Sequence, residues 1–152
     1  MQSLSEQVKA HLEGIGVHFE FEEEKSIFKL CIETKVADVN VVIYCDDEQD
    51  RLSNQAWISV FIPKEQKAAV LQAINKIHDE EFWPAYLFVD EDDGTLSAKC
   101  AMYVPESGVD RDVFGCFLAS TVTCLGDNFE EIMAAAYGME PESAEAQEDP
   151  DE

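Results

Sequence analysis

Residues 58–80 read ISVFIPKEQKAAVLQAINKIHDE. From Ala56 to Ile62 the residues are those of a strand, and Pro63, which has no N–H for a ladder, ends the pairing. The period then changes: Val70, Leu71, Ile74 and Ile77, with Phe82 beyond, recur at helical spacing and form a stripe that should face a sheet. Pro63-Lys64-Glu65 opens this helix with proline in its preferred first turn. A strand that ends at a proline and feeds an amphipathic helix is the joint from which the remaining elements are read outward.

Toward the N-terminus the pattern is of strands. Val17, Phe19 and Phe21 alternate with His18, Glu20 and Glu22, and the run stops at Glu23-Glu24-Lys25. Phe28, Leu30 and Ile32 give a second strand over 27–34, and Val39, Val41 and Ile43 a third over 39–45. A polar loop, DDEQDRLSNQ, leads to the strand at 56–62. Before these four, Leu4, Val8, Leu12 and Ile15 mark a first helix, with Ser3 or Ser5 as cap and Gly14 and Gly16 at its end.

Toward the C-terminus two strands, 85–90 and 95–104, flank DEDDGT at 90–95. This acidic stretch has the look of a calcium loop. With Gly94 at position 6 of an EF-hand, however, Val89 falls at position 1 and Cys100 at position 12, where carboxylates are required. Asp93-Gly94 is the signature of a two-residue type I′ turn, which would pair Val89 with Ala98 and Phe88 with Lys99. A four-residue loop would keep the same faces together. A last helix starts at Asp110 as N-cap and carries Val113, Phe114, Phe117, Leu118, Val122, Leu125, Phe129, Ile132 and Met133, more than a ~100° stripe. It is either sandwiched or has a second apolar face for a partner. Gly126, and Asp127 with Glu130 in capping-box spacing, predict a kink or a break.

The fold class is therefore α+β: helix, four-strand antiparallel meander, helix, β-hairpin, and a long or broken C-terminal helix. The expected organisation is one domain over 1–138 and an acidic disordered tail over 139–152.

The chain has 152 residues, with 33 acidic and 10 basic, for a net charge of −23. The last thirteen residues hold seven acids and no Lys or Arg, so −16 remains on the rest. Such a field repels phosphate backbones and anionic lipid, which argues against nucleic-acid and membrane partners. Five cysteines lie in apolar runs without a CxxC pair and read as free, reduced thiols. No run reaches the ~18 apolar residues of a membrane span, and the N-terminus has no signal-peptide pattern; the expected location is the cytoplasm.

Catalytic, cofactor and metal sites find no support. His11, His18 and His78 stand in no HExxH and beside no Gly-flanked Ser or Cys, and there is no GxGxxG or GxxxxGK[ST]. Besides an exposed sheet edge or groove, two partner-binding candidates remain. One is the apolar final helix, through Phe114, Phe117, Leu118, Val122 and Leu125, suited to a protein partner or a homodimer. The other is an acidic rim, because in a meander the turns holding Glu23 and Asp46-Asp47 lie at one end of the sheet; it suits a basic segment.

The order of elements, the stretch at 58–80 and the YLFVDEDDGTL hairpin that follows resemble the bacterial sensory transduction regulator (YbjN-type) family over about residues 3–137. The resemblance implies a fold like that of type III secretion chaperones, a regulatory or chaperone-like role without catalysis, and a partner that is a protein, alternatively a partly unfolded client. It supplies no catalytic residues.

Overall fold

The computed structural model of the protein describes residues 2–138, and the expected tail lies outside the described residues. The first helix, α1 (Leu4–Ile15), is closed at its start by a capping box: Ser3 Oγ accepts from Glu6 N–H, and the Glu6 carboxylate accepts from Ser3 N–H. Gly16, at φ 85°, ends it in the left-handed conformation that glycine tolerates.

The strands are β1 (Phe19–Glu22), β2 (Ile27–Glu33), β3 (Asp38–Asp46) and β4 (Arg51–Phe61). They form the expected meander, with a single 3₁₀ turn at Glu23–Lys25 between the first two. β4 starts five residues earlier than the sequence pattern indicates, because Arg51 pairs with Asp46 and Gln55 with Val42. The alternation there is hidden by Asn54, a polar residue at a core-facing position.

The chain crosses from β4 through a 3₁₀ turn, Lys64–Gln66, and α2 (Lys67–Glu80) to the hairpin of β5 (Tyr86–Val89) and β6 (Thr95–Tyr103). Pro63 stands just before the first turn rather than inside it. The hairpin joins through its second strand, giving the order β1-β2-β3-β4-β6-β5 with every neighbouring pair antiparallel. Val70, Ile74 and Ile77 of α2 are buried as expected, but Leu71 is exposed and Phe82 stands fully in solvent, beyond the helix end.

The DEDDGT loop is a hairpin connection, but not the type I′ turn. Val89 pairs with Leu96 and Leu87 with Ala98, two residues out from the expected register, so residues 91–94 form a four-residue loop. Asp90 explains the choice. Its Oδ1 accepts from the N–H groups of Asp92 and Asp93, its carbonyl accepts from Gly94 N–H, and only Gly94 takes positive φ, at 74°. The faces stay as predicted, because a shift of two residues leaves each side chain on its own side.

The final helix, α3 (Arg111–Tyr137), runs through Gly126 and Asp127 without a break. A glycine in a helix costs only about 1 kcal/mol, and the turns on either side bury Cys124, Leu125, Asn128 and Ile132. Asn128 Nδ2 donates back to Cys124 O instead of starting a new helix. The core lies between one face of the sheet and the helices, with α2 packed on α3 and β5, and α3 on β4 and β6.

Candidate partner-binding site

The sheet has two unlike faces. Phe28, Leu30, Val39, Val41, Ile43, Leu52, Ala56, Ile58 and Ala98 point to the helices and are buried. Among them Asn54 ties sheet to helix: its Nδ2 donates to the carbonyls of Phe117 (3.1 Å) and Leu118 (3.4 Å), and its Oδ1 accepts from Thr121 (3.1 Å). A buried polar group with all its bonds made fixes the register of α3 on the sheet.

The opposite face follows from the same registers. Across the strands run Ile27, Tyr44, Ser53 and Ala101, then Lys29, Val42, Gln55, Lys99 and Tyr86. On it Tyr44, Tyr86 and Tyr103 are 44, 53 and 74% exposed, and Lys29, Arg51 and Cys31 are also exposed. Tyr86 and Phe88 have ring centroids 6.1 Å apart, and Lys99 Nζ lies 4.8 Å over the Phe88 ring. The described helices leave this aromatic face open. Its troughs include one of about 440 Å³ bounded by Tyr44, Arg51, Gln55, Tyr86 and Lys99, and a smaller one bounded by Val42, Trp57, Asp90 and Ser97.

The residues singled out from the sequence divide. Phe114, Phe117, Leu118 and Leu125 are buried within the chain, and Val122 packs partly against the core. The final helix is therefore greasy because it is sandwiched: His11 stacks on Phe114 at 5.1 Å, and Asn54 lies beneath its Phe117 and Leu118 carbonyls. Its outward positions Cys116, Ala119 and Thr123 are small, and the large apolar residues exposed on it are Val113, in its first turn, and Tyr137, at its last residue.

The acidic turns do share one end of the sheet. Glu23 and Asp47 line a cleft beside α1, while Asp46 faces the open-face trough. Part of this charge has a local use. Asp47 Oδ1 accepts from Leu4 N–H at the start of α1 (2.9 Å), and Asp46 accepts from Gln49 N–H and pairs with Arg51 at 3.6 Å.

The histidines hold elements together. His11 Nε2–H donates to Val109 O (2.7 Å), and His78 Nε2 accepts from Leu87 N–H (2.9 Å), which ties α2 to the edge strand. The buried thiols of Cys45 and Cys124 are each pushed up to about 11, chiefly by burial, which makes them poor nucleophiles. Among the described residues no His, Cys, Asp and Glu group could hold a metal ion, and no helix is long and apolar enough to cross a membrane.

Sequence reasoning missed the open face. Its aromatics are spread over β3, β4, β5 and β6, and only the strand order brings Tyr44, Trp57, Tyr86 and Tyr103 onto one surface. The signal was there as Tyr and Trp at alternate strand positions opposite the apolar ones.

A family model described as "YbjN: Putative bacterial sensory transduction regulator" matches residues 4–133. No curated protein matches the chain. Among solved structures, that of YbjN from E. coli superposes with a TM-score of 0.62 at 13% identity, covering 88% of this chain and 92% of that one. A structure of the ExsC-ExsE complex gives 0.56 at 16% identity, covering 84% and 94%. The HopA1-SchA chaperone-effector complex gives 0.53 at 13% identity, covering 80% and 89%. At these identities the likeness is one of fold, an α+β fold of the type III secretion chaperone kind.

Proposed function

This chain belongs to the YbjN family of bacterial sensory transduction regulators, and we propose on that footing that it is a non-enzymatic regulator that works by binding another protein on the open face of its sheet. The observation that carries this reading is the contrast in cover. Six strands present one face to three helices, and the other leaves Tyr44, Tyr86 and Tyr103 in solvent. Tyrosine supplies large contact area with little entropy lost on ordering and is enriched where proteins meet. The absence of a nucleophile and base constellation in the sequence fits a binding role.

A second reading is supported by two of the structural neighbours, which are complexes, one of them chaperone with effector. On that reading the occupant is an unfolded client segment laid across the same face. Apolar burial would hold it, so its binding would resist salt, whereas a basic partner drawn to Glu23, Asp46 and Asp47 would be lost as salt rises. The chain is placed in the cytoplasm on this view, with a protein as partner.

The test is comparative capture from native lysate. Tyr44→Asp with Tyr103→Asp should lose the bound protein while thermal unfolding stays within a few degrees of the parent. Leu71→Asp, on the outer side of α2, should retain it. Undiminished capture by the double variant would remove the open face as the docking site.

A further inference from the structure

We propose that the trough between Tyr44 and Tyr86 is a binding site for a small planar aromatic carboxylate. This rests on the reading that the open face receives ligands, and it adds a ligand class of different chemistry from the partner protein. The trough is built by four strands. β4 and β6 give it a low floor, Ser53, Gln55 and Ala101, while Tyr44 from β3 and Tyr86 from the edge strand stand at its sides. β3 and β5 are three strand steps apart, roughly 14 Å at ~4.8 Å per step. The cavity of about 440 Å³ is within the range that small-molecule sites occupy.

Its charge runs against that of the chain. Only 10 of 152 residues are Lys or Arg, yet Arg51 and Lys99 both line this trough, opposite a single carboxylate, Asp46. Arg51 meets Asp46 through Nη2 at 3.6 Å, and a guanidinium has five N–H donors. Lys99 has no ion pair among the described residues, and its ammonium lies over the Phe88 ring. A cation on an aromatic face keeps the N–H donors that point away from the ring for an anion. Two tyrosine rings for a planar group and two cations for a carboxylate stand on one small-floored cavity.

The −23 field selects among anions. At physiological salt, charges farther than ~8 Å are largely screened, so a single carboxylate inside the trough meets first the charged side chains that line it, Arg51, Lys99 and Asp46. A polyanion would extend over the surrounding acids and be repelled. The ligand class is thus a ring-bearing monocarboxylate.

Three probes with one ring system test this: N-acetyl-L-tryptophan, its uncharged amide N-acetyl-L-tryptophanamide, and the cation tryptamine. Each is titrated into the full-length chain alone and followed by backbone amide NMR. The acid should shift Ser53, Gln55, Lys99 and Ala101, the amide should bind about tenfold more weakly, and tryptamine should leave these residues unmoved. Lys99→Met should weaken the acid about tenfold and leave the amide unchanged. Equal binding of acid and amide, shifts confined to other residues, no shifts, or an unaltered Lys99→Met titration would each overturn the proposal. No partner protein is present, so this outcome and the capture experiment succeed or fail separately.

Discussion

The two faces of the sheet are made from the same strands, with neighbouring residues of each strand assigned to opposite sides. On the covered side Phe28, Ile43 and Leu52 are completely buried, and the one polar residue, Asn54, has its bonds made by α3. On the open side Tyr44 and Tyr103 stand in solvent, and Lys29 and Arg51 are tied to Glu22 and Asp46 by exposed ion pairs. Pairs of that kind contribute about 0–1 kcal/mol each. The covered face holds the fold together, and the exposed positions of the open face, unlike its buried Ile27, Val42 and Ser97, are free to change their chemistry at little cost in stability.

The hardest test of that contrast is Phe117→Glu. Had the final helix offered a free apolar face, this change would leave the fold intact and alter only association. With Phe117 95% buried, truncation alone costs about 3–5 kcal/mol, and an unpaired carboxylate adds more. Circular dichroism should find the variant largely unfolded; a cooperative transition at the parent temperature would break the comparison.

Asn54→Ala comes next, at about 2 kcal/mol, because it strands the Thr121 hydroxyl and leaves a gap under α3. Urea unfolding would show the loss as a lower midpoint with the slope unchanged.

The thiols sharpen the contrast from both sides. Cys45 lies on the covered face and Cys31, exposed, on the open one. Iodoacetamide at pH 8 should label Cys31 rapidly and Cys45 only as the chain opens. Burial raises Cys45 from 9.0 to about 11, so the folded chain holds that proton to higher pH than the unfolded chain does. The stability this represents is complete below pH 9 and is lost as the pH rises to about 11, which unfolding series at pH 8 and 11 would register. Comparable labelling of both thiols in the folded state would contradict the assignment of faces.

The smallest effect is expected from Tyr103→Ser, 74% exposed on the open side, which should move stability by no more than about 0.5 kcal/mol. A larger loss in thermal melts would mean that the open face also supports the fold.

Much of the architecture was legible because period and punctuation are local. Pro63, a cap at Ser3 or Ser5, and Asp110 placed element ends close to where they fall. The failures came where a tertiary contact overrode a local signal. Asn54 masked the start of β4 because its partners lie on a helix more than sixty residues away. Asp93-Gly94 lost its two-residue turn to the Asp90 carboxylate, and Asp127 lost its capping box to a helix held in place by burial on both sides of it.

By itself the sequence determined which residues share a strand face, where helices begin, and that the chain is strongly acidic, since these depend on backbone geometry and composition alone. Only the tertiary structure decided what those faces meet. The apolar surface of the final helix was removed from water by the chain's own sheet, and the pairing of β4 with β6 drew scattered tyrosines and two of the ten cations into one trough. Burial and convergence are properties of distant residues brought together, and a strand carries no record of its neighbour in the sheet.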